Sequence, residues 1–126
     1  MKNTIPFALF GEQQELCFTI KDIRELERKL GKPVQLIYSH AVIGLDFCCA
    51  AYPILLKISE AEFEKKLEAY LQAGDGSVDK LATPALNALT ITGVMGKPLA
   101  DAVRTLYYPM ETGGEMEIKN AEARVN

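Results

Sequence analysis

The stretch from Val34 to Ile58 sets the terms for the rest of the chain. It is the densest apolar run present, yet it carries Gln35, His40, Asp46 and Pro53. Those interruptions argue against a membrane span, which needs about 20 predominantly apolar residues. A segment that is apolar on nearly every side is instead a buried centre that other elements must wrap. Gly44 divides it. A helical stretch starts near Val34 and runs toward Ala41. A second, more buried helix is capped by Asp46 and reaches Lys57, with Pro53 as a kink or an end.

The flanking segments supply the wrapping. Ile5–Phe10 and Leu16–Ile20 are short apolar runs around a Gly11–Gln14 turn, the pattern of a β-hairpin, and Pro6 suits an edge strand because it has no N–H. Ile20, Ile23, Leu26 and Leu30 then share a helical face, stopped by Gly31 with Pro33 beyond. Ser59-Glu60-Ala61-Glu62 is a capping-box pattern opening a helix over Glu60–Ala73, with Phe63, Leu67, Tyr70 and Leu71 on one stripe. A loop at Gly74–Gly76 follows. A further helix covers Val78–Thr92, with Leu81, Ala85, Ala88 and Leu89 inward; Pro84 leaves open a start nearer Thr83. Pro98–Tyr107 is the last helix, carrying Leu99, Ala102, Val103 and Leu106. The expected fold is mainly α: a compact bundle of about five short helices with an N-terminal β-hairpin. Its domain is 1–109, followed by a flexible C-terminal tail, 110–126.

Composition narrows the function. A chain of 126 residues with 48% apolar and 25% charged side chains is a globular profile of single-domain size. Net charge is −3, with basic residues scattered among acids, so a nucleic-acid partner is not expected. The three cysteines, Cys17, Cys48 and Cys49, are odd in number, and the last two are adjacent. A vicinal helical pair cannot reach disulfide geometry, which favours free thiols in a reducing compartment. The opening Met-Lys-Asn-Thr-Ile-Pro-Phe has no secretory leader pattern. The expected location is therefore cytoplasmic, without a membrane partner.

No residue constellation points to catalysis. His40 is the sole histidine, and it lacks the partners at fixed spacing that a metal site or a general base requires. Cys48 and Cys49 read as core packing, since the nearest charge, Asp46, raises a thiol pKa. Gly93-Val94-Met95-Gly96-Lys97 lacks the strand, the glycine spacing and the hydroxyl of a phosphate loop and reads as a turn. Catalytic, cofactor and metal residues are therefore not assigned, and an enzyme is not expected. A thiol-dependent or hydrolytic enzyme would need a cleft holding His40 or Cys48 beside a polar partner. The apolar side chains Tyr107, Tyr108 and Met110, at the end of the last helix, are the candidate protein-binding residues.

Phe18-Thr19-Ile20-Lys21-Asp22-Ile23-Arg24-Glu25-Leu26-Glu27-Arg28-Lys29-Leu30-Gly31 resembles the strand-into-helix signature of the tail assembly chaperones of long-tailed bacteriophages and prophages, including relatives in gene-transfer-agent clusters. That signature runs Leu/Phe-x-Ile/Leu-x-x-Ile/Leu-x-x-Leu-Glu-x-x-Leu-Gly. Leu67–Gly93 is similar in style to the family's helix, loop and helix. The resemblance covers about 90 residues, Leu16 to Thr105, by the same helical pattern. It implies a small cytoplasmic helper that binds the tape measure protein during tail morphogenesis and is absent from the mature virion. It also implies the tail tube protein and self-association as further candidate contacts, and a frameshifted longer product extending the 110–126 tail. The competing expectation is a small helical adaptor or regulatory module of a bacterium.

Overall fold

The computed structural model describes residues 2–39 and 44–109. Among these residues the order is β1 (Ile5–Phe7), β2 (Gln14–Leu16), α1 (Ile20–Leu30), α2 (Val34–Ser39), α3 (Leu45–Leu56), α4 (Glu60–Gln72), α5 (Val78–Thr90) and α6 (Lys97–Tyr107). The fold is mainly helical with an N-terminal antiparallel hairpin. The 110–126 tail and His40 lie outside the described residues.

The hairpin is shorter than its apolar pattern suggests. Ile5 faces Leu16, Pro6 faces Glu15 and Phe7 faces Gln14. The period of two turns Ile5, Phe7 and Leu16 inward and leaves Pro6 and Glu15 outside. The strand ends at Leu16 because Thr19 is taken up as a helix cap. Its hydroxyl accepts the Asp22 N–H at 3.1 Å, and the Asp22 carboxylate accepts the Thr19 N–H at 3.0 Å. This reciprocal box satisfies two exposed backbone donors. Ile20 is therefore the first residue of α1, off the Ile23–Leu26 face, and is 67% exposed. Gly31 closes α1 in the left-handed region at φ 69°. The Glu27 carboxylate accepts the Val34 N–H at 2.9 Å, which starts α2.

α3 is the centre, as its composition requires. It touches α1, α4 and α5, and Phe47, Cys48, Ala51 and Tyr52 are fully buried. Its N-cap is Gly44, not Asp46; Asp46 sits in the first turn, where its charge complements the helix dipole. Pro53 lies inside α3 three residues before the end, and its carbonyl accepts the N–H groups of Lys57 and Ile58. Ser77 accepts the Lys80 N–H at 3.2 Å and starts α5 at Val78, so Pro84 sits mid-helix. α5 in turn packs on β1, β2 and α6.

α6 corrects the sequence reading. Its inner face is Ala100, Val103, Arg104 and Tyr107, while Ala102 and Leu99 point outward and Leu106 is 70% exposed. The polar anchors decide this rotation. Buried Arg104 donates to Lys2 O at 3.0 Å, Asn3 Oδ1 at 2.9 Å, Asp101 Oδ1 at 2.8 Å and Ile91 O at 3.4 Å. A buried guanidinium needs such partners, and only this face supplies them.

Candidate protein-binding groove

Five aromatic rings from three parts of the chain meet under the hairpin tip. Tyr52 on α3 stacks on Phe63 of α4 with centroids 5.5 Å apart and an interplanar angle of 10°. Phe7 lies 5.3 Å from Tyr52. Phe10, in the hairpin loop, reaches Phe7 at 5.5 Å, Tyr70 at 5.7 Å, Phe63 at 6.1 Å and Tyr52 at 6.3 Å. Edge-to-face and offset pairs of this kind contribute about 0.5–1.5 kcal/mol each beyond their burial. Phe10 thus holds the loop down, and its neighbour Leu9 is left 41% exposed.

Leu9 is shared by two adjoining depressions. One is bounded by Phe10, Lys66, Ala69, Tyr70 and Ala73, on the α4 side. The other is bounded by Pro6, Phe7, Lys80, Thr83 and Pro84, on the α5 side. With Leu9 as their shared wall, the two make up the candidate groove, one half on the α4 side and one on the α5 side. Two walls have specific supports. The Tyr70 hydroxyl accepts the Ser77 N–H at 3.3 Å. Its ring lies so close to Gly76 that a Cβ there would sit 2.6–2.8 Å from three ring carbons. On the other wall, the Tyr52 hydroxyl donates to Leu81 O within α5, beside Pro84. Burial, followed by the neighbouring Cys48, Tyr70 and Tyr107, pushes the Tyr52 phenol well above its ordinary range, so it stays a neutral donor.

The groove's charge is one-sided. Lys66 lines the α4 half and Lys80 the α5 half, and neither forms an ion pair with a carboxylate among the described residues. Lys80 spends one proton on Asp75 O at 2.8 Å. The groove therefore offers aliphatic and aromatic contact along its length and positive charge at its edges.

The residues singled out from sequence fall elsewhere. Tyr107 and Tyr108 are half-buried, and their hydroxyls engage within the chain: Asn87 donates to Tyr107 at 2.9 Å, and Tyr108 donates to Thr4 O at 2.8 Å. Lys2 stands 5.4 Å from the Tyr108 ring. Met110 lies outside the described residues. Leu9 was missed because a lone leucine beside a turn glycine carries no periodic signal; only Phe10's anchoring makes it outward-facing.

The cysteines are free thiols. Cys48 is fully buried, and burial, with Cys49 beside it, pushes its thiol up to about 12. Cys49 lines a depression with Lys29, Leu30, Asp46, Ala50 and Glu60. Partial burial raises its pKa, and Glu64, Asp46 and Glu60 add to the effect. Both environments disfavour the thiolate that nucleophilic chemistry requires. Among the described residues, no three His, Cys, Asp or Glu side chains converge on a possible metal position, and no helix is long and apolar enough to cross a membrane. Compared with family models, curated proteins and solved structures, the chain matches none of them.

Proposed function

We propose that this chain is an assembly chaperone of the phage and prophage tail type, binding apolar helical stripes of a tape measure protein while a tail is built. The groove at the hairpin tip is the observation that carries the reading. Its aromatic floor is fixed by contacts within the chain, so a partner meets a surface that is already ordered, which lowers the entropic cost of binding. An amphipathic client helix would lay apolar residues along Leu9, Tyr70 and Pro84 and place acids against Lys66 and Lys80. Pro6 makes strand addition at β1 the poorer mode, because it offers no N–H to a further strand. The resemblance of Phe18–Gly31 to the chaperone signature supplies the client's identity. In this reading the protein works in the host cytoplasm and is left out of the mature virion. Weak contacts per copy suffice, since many copies along one client raise avidity.

Co-expression with the tape measure protein of the same phage or prophage tests this. The expected result is a soluble complex that co-purifies, and Leu9→Ser should weaken it about three- to eightfold, since a partner can bury only the 41% of the leucine that is exposed, worth roughly 0.6–1.2 kcal/mol. A tape measure protein that is equally soluble alone and never co-purifies would overturn the proposal.

A further inference from the structure

The groove has a candidate occupant within the same chain. We infer that the segment Glu115-Met116-Glu117-Ile118 docks in the groove at Leu9, with Met116 and Ile118 on the apolar floor and Glu115 and Glu117 against the Lys66 and Lys80 rims. This goes beyond the client reading and needs no client for its test.

Three observations support it. The first is where the described chain ends. The Tyr108 hydroxyl is bonded to Thr4 O, and Thr4 is two residues, about 7 Å of strand, from Pro6 on the groove wall. The Tyr107 hydroxyl is bonded to Asn87, which is one helical turn along α5 from Thr83, on the same wall. The chain therefore leaves α6 beside β1 and α5, the two elements that build half of the groove.

The second is length. Residues 110–126 number 17. Only the stretch before the docked segment sets its reach: from Pro109 to Glu115 is six residue steps, up to about 20 Å fully extended, and Ile118 lies up to about 10 Å further on.

The third is charge and pattern. Residues 110–126 hold Glu111, Glu115, Glu117 and Glu122 against Lys119 and Arg124, four negative less two positive, or −2. The groove offers two lysines that no carboxylate pairs with among the described residues. The order acid, apolar, acid, apolar places two apolar side chains on one face of an extended stretch and two carboxylates on the other. A groove with an apolar floor and basic rims is complementary to that alternation. Because the segment is tethered beside its site, its effective concentration is high, so modest contacts are enough to fill it.

Methyl and amide NMR on the full chain tests the inference. Two tail variants are compared with the parent: Glu115→Lys/Glu117→Lys and Met116→Ser/Ile118→Ser. Both change residues outside those that the structure describes. The expected result is that each shifts the methyl resonances of Leu9, Ala69 and Ala73. Adding Lys66→Glu/Lys80→Glu to the charge-reversed tail should return the Ala69, Ala73 and Leu9 methyl signals toward their parental positions. Groove methyls that stay in place in both tail variants would overturn the inference. So would shifts that fade on dilution, which would mean that a second copy's segment fills the groove.

Discussion

Tyr52→Phe isolates one hydroxyl that bonds α5 three residues before its internal proline. Pro84 cannot donate to Lys80 O, and its ring crowds that carbonyl. The Tyr52 hydroxyl enters at the next carbonyl, Leu81 O, from the neighbouring helix α3. A phenylalanine keeps the stack on Phe63 and the contact with Phe7, so packing and volume barely change. What is lost is one buried hydrogen bond, and Leu81 O is left short of a donor. That loss costs about 1–3 kcal/mol. For a domain of this size, about 4 °C of melting temperature per kcal/mol converts it to a drop of roughly 4–12 °C. Thermal unfolding followed by far-UV circular dichroism measures the drop. The same substitution in a Pro84→Ala background should cost less, since the ladder can close there without help; the expected coupling is about 0.5–3 kcal/mol. A fall of under about 1 °C, or an equal fall in both backgrounds, would refute the reasoning.

Four further outcomes are expected. Cys17 should react quickly with iodoacetamide in the native protein, Cys49 slowly and Cys48 only after unfolding, as mass spectrometry of timed samples would show. Because burial raises the Cys48 pKa above its unfolded value of about 9, its contribution to stability is intact below pH 9. It is lost as pH rises from there toward 12, and Cys48→Ala should flatten that decline in urea titrations at stepped pH. Gly76→Ala should lower stability by about 1–3 kcal/mol by driving a Cβ into the Tyr70 ring, and Tyr70→Leu in the same chain should recover part of it. Thr19→Ala should cost about 1 kcal/mol through loss of the α1 cap, readable as a lower urea midpoint at unchanged m-value.

Where side chains with strong local preferences met no competitor, the sequence was readable. Ser59 caps α4 by accepting the Glu62 N–H at 3.0 Å, Gly31 ends α1, and the all-apolar α3 lies at the centre. The departures came from long-range polar contacts, which leave no periodic trace. Arg104 turned α6 so that Leu106 faces outward, because its acceptors lie about 100 residues earlier in the chain. Pro84 argued locally for a late start to α5, yet Ser77 caps the helix seven residues, nearly two turns, before it, and the Tyr52 hydroxyl donates to Leu81 O from the neighbouring helix. The groove was equally hidden, since Leu9, Lys66 and Lys80 come from three separate elements.

The clasp of Arg104 and Tyr108 on Lys2, Asn3 and Thr4 also orders events in time. Until α6 has been made, Lys2 O, Asn3 Oδ1 and Thr4 O lack these donors. At about 5–20 residues per second, synthesis of the intervening hundred or so residues takes roughly 5–20 s. During that interval the hairpin is held by its contacts with α3, α4 and α5, so a nascent chain halted before α6 would keep its aromatic floor but leave Lys2, Asn3 and Thr4 without the clasp.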